Sequence, residues 1–163
     1  MPINFFRDSC KMQSSASQFG LCDDTLSAKK PAYIDELNKS IWIATINNPA
    51  NKLVNFFAID NCIEILKSDG KLESRCDGLL LHENYLKFVE LKNKGRDWLK
   101  GSKQLAVTIK IFKLNYDLKS YDKVEAYLSN KQHPGSNTNY FRVIEEFKDE
   151  TDLILYVKTI IEI

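Results

Sequence analysis

The chain has 163 residues, 44% of them hydrophobic and 28% charged, and 23 Lys+Arg stand against 22 Asp+Glu for a net charge of +1. That length can bury a core without a disulfide or metal staple, and the composition excludes collagen, mucin, coiled coil and bulk disorder. Near-neutral charge neither requires nor forbids a nucleic-acid partner, because only a local basic patch decides that.

No apolar run approaches the roughly 20 residues that cross a bilayer, so no membrane partner is expected. The opening MPINFFRDSC carries an early acid and no long apolar stretch, so no secretory signal is expected either. The expectation is one soluble, cytoplasmic domain over residues 1–163. Cysteines stand at 10, 22, 62 and 76, with no C-x-x-C and no histidine at a zinc-like offset. They read as reduced and mostly buried thiols.

Residues 8–30 are Ser-rich, polar and aperiodic, and 1–30 is read as a loosely ordered lead-in. Ala32–Ile34 and Ile41–Ile46 have strand composition, with Glu36–Ser40 as the reversal and Asn47-Asn48-Pro49 as the stop. Together they predict an N-terminal β-hairpin extension. Val54–Phe57 could be extended. Ile59, Ile63 and Leu66 then follow helical spacing up to Gly70, which predicts a helix over about 60–68 with Asp60 at its N-cap.

Arg75–His82 and Tyr85–Lys92 read as two strands joined at Glu83-Asn84. Leu105, Ile109 and Phe112 mark an amphipathic helix over about 98–114. A short strand at Val124–Leu128, a loop at Asn130–Asn139, a helix at Tyr140–Lys148 and a closing strand within Leu153–Ile163 complete the order. This is an α/β (α+β) chain with a central mixed sheet flanked by helices.

The hairpin carries the chemistry. A two-residue turn makes His82 face Tyr85 and Asp77 face Glu90, and alternation puts Asp77, Glu90 and Lys92 on one face. Both faces are otherwise apolar, as in a central pair. Two carboxylates directly across a ladder repel, and a divalent cation is the natural compensation. Mg²⁺ (or Mn²⁺) takes hard oxygen ligands, here Asp77, Glu90 and the backbone carbonyl of Leu91. Lys92 would orient a water or neutralise charge on a phosphate. Metal, water and ammonium together suit phosphodiester hydrolysis.

Cys76-Asp77-Gly78 followed by Val89-Glu90-Leu91-Lys92 resembles the active-site hairpin of the PD-(D/E)xK nuclease superfamily, the restriction-endonuclease-like fold. The similarity spans about residues 55–163, and the element order is compatible with that family's helix, three-stranded antiparallel unit, helix and strand. The resemblance implies that Asp77 and Glu90 are metal ligands and Lys92 the catalytic lysine. It implies Glu64, or more weakly Asp60, as the acid of the first helix, and Gln104 as a polar residue near the site. The family's proline is absent, Cys76 standing in its place, and residues 1–50 match nothing in it.

The stretch Lys92–Lys103 holds five basic residues and one acid. Lys94, Arg96, Lys100 and Lys103 are candidate phosphate contacts, and Trp98 either stacks on a base or fills the core. His82 and His133 read as surface histidines without catalytic partners. No glycine-rich phosphate loop is present. The expected activity is a Mg²⁺-dependent nuclease, with DNA favoured over RNA and a homodimer or an unidentified protein partner as further options. The competing readings are a non-catalytic nucleic-acid-binding domain and a protein-interaction module on the same fold.

Overall fold

The computed structural model describes residues 2–24, 29–93, 98–131 and 138–163, with the side chains of 138 and 139 set apart. Among these residues it forms an α+β structure of two mixed sheets and two α-helices. The strands are β1 (Lys11–Ser14), β2 (Gln18–Cys22), β3 (Tyr33–Asp35), β4 (Ala44–Asn47), β5 (Val54–Ala58), β6 (Gly78–His82), β7 (Tyr85–Lys92), β8 (Lys123–Asn130), β9 (Leu155–Val157) and β10 (Ile160–Glu162). The helices are α1 (Trp98–Asn115) and α2 (Thr138–Thr151).

The larger sheet runs β1-β5-β6-β7-β8-β9. Its first four strands are antiparallel, and β8 and β9 then join parallel to β7. A parallel neighbour needs a crossover, and α1 provides it between β7 and β8 as α2 does between β8 and β9. The smaller sheet runs β10-β4-β2-β3.

Alternation along the central strands explains the layers. Leu79, Leu86, Phe88, Ala126 and Leu128 share one face and pack with Leu105, Ile109 and Phe112 of α1 and Val143 and Phe147 of α2. Leu80, Val89, Leu91 and Tyr127 share the other face and pack with Phe19, Leu21, Ile34 and Ile46 of the smaller sheet. Helices, large sheet and small sheet therefore form three layers around two apolar clusters.

Several expectations are corrected. Part of the expected lead-in is built into the fold: β1 edges the large sheet on β5, and β2 lies inside the small one. The pattern Phe19-Gly20-Leu21 is a short alternation whose glycine is required, since a Cβ at Gly20 would sit 1.9 Å from the Trp42 ring. Ahead of β1, Phe5 is fully buried and meets Phe112 at 5.2 Å between ring centroids. The N-terminal hairpin is also rearranged, because β3 and β4 do not pair with each other but flank β2.

No helix forms at 60–68. Asn61 adopts φ 60°, a left-handed conformation that breaks a helix, and Leu66 pairs across an isolated bridge with Leu72. Ile63 and Ile65 are buried while Leu66 is 54% exposed, so the core spacing is not helical. Cys10 and Cys62 are disulfide-bonded, which fastens this irregular segment to the start of β1, while Cys22 and Cys76 are free and buried. The expectation of four reduced thiols is therefore wrong, and with it goes the cysteine argument for a reducing compartment. The C-terminal strand splits into β9 and β10, which belong to different sheets. Among the described residues, no helix is long and apolar enough to cross a membrane.

Candidate active site

The β6–β7 hairpin has the register its turn predicts. His82 pairs with Tyr85 and Gly78 with Val89, so the next facing positions are Asp77 and Glu90. Glu83 takes up the reversal with φ 50°. Gly78 is needed for close approach, because a Cβ there would lie 2.4 Å from the Phe56 ring and 2.7 Å from the Phe57 carbonyl oxygen. Asp77 is thus carried by a tightly packed strand end.

Asp77 is buried, and its Oδ2 accepts the Leu91 backbone N–H at 2.6 Å. The Asp77 carbonyl accepts from the Ile59 N–H at 2.8 Å, so the residue is held from both neighbouring strands. The Leu91 carbonyl lies on the same side of β7 as its N–H, by the geometry of an extended strand. The Lys92 carbonyl, one residue on, points the other way and accepts the Lys131 N–H at 3.1 Å. Asp77 and the Leu91 main chain are therefore adjacent.

Glu90 is 1% exposed, and its Oε1 accepts from Lys92 Nζ at 2.7 Å. Its Oε2 is buried with no hydrogen-bond partner among the described residues. The Lys92 ammonium also donates to Gln104 Oε1 at 2.8 Å, while Gln104 Nε2 donates to the Arg75 carbonyl at 3.1 Å. Arg75 in turn pairs with Asp60 at 3.1 Å. One turn further along α1, the Thr108 hydroxyl accepts the Cys76 N–H at 2.7 Å. Gln104 and Thr108 thereby dock α1 onto the strand ends that carry the acids.

The start of α1 covers the pair. Gly101 faces Glu90 and Lys92 so closely that a Cβ would come within 3.2 Å of each aliphatic stem and 2.6 Å of Leu128 Cδ1. Burial pushes the Glu90 carboxyl up to about 7, against the pull of the Lys92 charge and hydrogen bond. Asp77 is raised well above the ordinary carboxylate range by burial first, then by the charges of Glu90 and Asp23. Two buried carboxylates with one partly exposed ammonium, which contacts Glu90, are short of positive charge.

Asp77, Glu90 and Lys92 are thus brought together at one strand end, and Gln104, which the resemblance alone offered, joins them through Lys92. Asp60 joins them through Arg75, and its charge also raises Glu90. Glu64 does not: with no helix at 60–68 it stands exposed on the irregular segment, and no described hydrogen bond or ion pair ties it to the site. Lys100 and Lys103 are exposed on α1, whereas Lys94 and Arg96 lie outside the described residues, as does His133. Trp98 is 9% exposed and belongs to the helix-side core, so it fills the core. His82 is not at the surface but buried, stacked on Tyr85 at 5.1 Å.

Asp23 is the acid that sequence reasoning missed. It follows directly on β2, is half-buried, and is raised by burial and by the charges of Asp60 and Asp24, with Lys92 pulling the other way. Its charge reaches Asp77 as well. A carboxylate delivered from the second sheet has no local signature. The sole hint is that the alternation Phe19, Leu21 ends on Asp23-Asp24. Among the described residues, no three His, Cys, Asp or Glu side chains converge to hold a metal ion by themselves. No protein-family model, curated protein or solved structure matches the chain.

Proposed function

We propose that this chain is a divalent-metal-dependent nuclease of the PD-(D/E)xK type, with DNA as the favoured substrate. The observation that carries the proposal is the pair of buried acids Asp77 and Glu90 with the half-buried Lys92 at one end of the central strands, Glu90 Oε2 being without a partner among the described residues. The topology supports it: β5, β6 and β7 form an antiparallel unit, α1 crosses over, and β8 lies parallel to β7. The chain departs from the family pattern in that no α-helix precedes β6 among the described residues and in having Cys76 in place of proline.

The donor set fits a hard cation in chemistry. It offers Asp77 and Glu90, which resist being ionised together, a lone buried carboxylate oxygen, and the neighbouring Leu91 carbonyl. Two carboxylates and a carbonyl leave positions for water and for a phosphate oxygen. When bound there, Mg²⁺ or Mn²⁺ would supply Lewis-acid polarisation of the phosphate and a more acidic water.

The chain's own residues do the rest. Lys92, fixed by Glu90 and Gln104, holds an ammonium where it orients water and stabilises charge developing on the phosphate. Gln104 is a positioning residue, tying that ammonium to the Arg75 main chain. Lys100 and Lys103, exposed on the helix that covers the site, are suited to phosphates of the bound strand.

The test is a cleavage panel of single-stranded, duplex and branched DNA and RNA, with Mg²⁺, Mn²⁺ or chelator. Metal-dependent cutting that is lost in Lys92→Ala and Asp77→Ala, with the far-UV circular dichroism unchanged, supports the reading. A chain that binds nucleic acid yet never cuts favours the non-catalytic alternative.

A further inference from the structure

A cleft of about 500 Å³ lies at the opposite end of β7 from Glu90 and Lys92, between the Tyr85 end of the large sheet and the end of β10. On this face Val89 and Leu91 are covered by the small sheet, while Lys87 lines the cleft. Four lysines and two glutamates line it. Glu125 is fully engaged: Oε1 accepts from Lys123 at 2.6 Å, and Oε2 accepts from Lys87 at 2.9 Å and from the Tyr127 hydroxyl at 3.1 Å. Burial works to raise its carboxyl, but the hydrogen bonds from those two lysines outweigh it and leave it lowered. One acid thus serves two lysines. Lys158 adds a further cation at the rim, 5.4 Å from the Tyr156 ring centroid.

The walls are flat and aromatic. Tyr127 and Tyr156 stack at 5.2 Å and 25°, and His82 and Tyr85 stack at 5.1 Å and 15°. His82 lines the cleft, is 4% exposed, and has both ring nitrogens without a hydrogen-bond partner among the described residues. A neutral imidazole offers one donor and one acceptor. The two nitrogens point to different sides of the ring, so a single ligand can meet one of them, and a buried ring nitrogen left open in the wall of a cleft is uncommon in a finished core.

We propose that this cleft binds a mononucleotide-sized ligand, an aromatic base carrying a phosphate. The base lies against the tyrosine walls with one polar edge atom toward a His82 ring nitrogen, and the phosphate meets Lys158 at the rim, beside Lys52, which pairs with Glu83 at 3.4 Å. A bare anion would leave the aromatic walls and His82 unused, and an uncharged aromatic would leave the lysine surplus unused. The site is separate from the acids at the other end of the sheet and does not depend on the nuclease reading.

The test is calorimetric titration of the full chain, in chelator, with AMP, GMP, CMP and UMP, with the matching nucleosides, and with inorganic phosphate. At least one nucleotide should saturate with a Kd below about 1 mM, and its nucleoside and free phosphate should bind at least about tenfold more weakly. Lys158→Glu, an exposed position that leaves the fold intact, and His82→Phe should each weaken the nucleotide by about tenfold, and Lys92→Ala should leave it unchanged. The inference is overturned if no nucleotide saturates, if phosphate alone binds equally well, or if Lys92→Ala abolishes binding that Lys158→Glu retains.

Discussion

The two ends of β7 bury ionisable groups under opposite terms. At the Glu90 end, one ammonium pairs with Glu90 while Asp77 is held by the Leu91 N–H, and a buried Glu90 oxygen is left without a partner among the described residues. At the Lys87 end, one carboxylate answers two ammoniums and a hydroxyl, and every oxygen is used. The first arrangement lacks cations and the second has them to spare. The Lys87–Glu125 pair is fully answered and is a structural solution, with the groups open to a ligand at that end lying beside it in His82 and Lys158. The buried charge left short at Glu90 is instead kept at the expense of stability and itself points to an absent ligand. Along eight residues of one strand, the protein does both.

Mutations at the two ends should therefore differ in kind. The largest effect is expected for Lys92→Ala, which under the proposed nuclease reading should reduce cutting by at least about 10²-fold, since that reading gives its ammonium the charge on the phosphate to stabilise. Cleavage rates under single-turnover conditions measure it, and a loss below about threefold would show that Lys92 is not part of the chemistry.

Next comes Glu125→Ala, which strands the buried Lys87 and should cost about 3–5 kcal/mol in urea unfolding. Glu90→Gln is expected to do the reverse. In the metal-free chain at pH 8 it removes an ill-compensated charge and should be neutral or stabilising by about 1–2 kcal/mol. Equal destabilisation by both would erase the distinction between the ends. Replacing Cys10 and Cys62 by Ser lies outside that contrast, and should cost about 4 kcal/mol through the long loop the disulfide closes.

The smallest effects are in the pH profile, where the two ends have opposite signs. Glu90 is raised from 4.5 to about 7 in the folded chain, so the folded state holds its proton more tightly. Its contribution favours folding at low pH and is lost as pH rises toward 7. His82 is lowered from 6.5 to about 4, by burial and by the charges of Lys87 and Lys52. Its contribution is present above pH 6.5 and is lost as pH falls toward 4. Unfolding free energies between pH 4 and 8 should become more acid-sensitive in Glu90→Gln and less so in His82→Phe. The same slope in both variants would contradict the assignments.

The parts of this design that were legible in the sequence are those fixed by short-range rules. A two-residue turn plus alternation set the register that faces Asp77 with Glu90, and the spacing of Leu105, Ile109 and Phe112 set α1. What was not legible depends on distant partners. Ile59 and Ile63 have helical spacing, yet they bury from an irregular segment tied down by Cys62 and turned by Asn61. β2 was hidden in a Ser-rich stretch because just a few alternating residues carry it, and its pairing partners lie beyond residue 32. Asp23 and the Arg75–Asp60 pair reach the site through tertiary folding, which no local pattern encodes. His82 looked like a turn residue at the surface, and only the cleft formed with β8, β9 and β10 shows that it is buried.

The central claim is that the acids at the Glu90 end are short of a cation. Calorimetric titration of Mn²⁺ into the chain, alongside Asp77→Asn and Glu90→Gln, tests it without relying on a substrate. The account predicts saturable binding by the parent chain, weakened at least about tenfold in each variant. Heat changes indistinguishable from buffer in the parent, or equal binding in all three proteins, would contradict it.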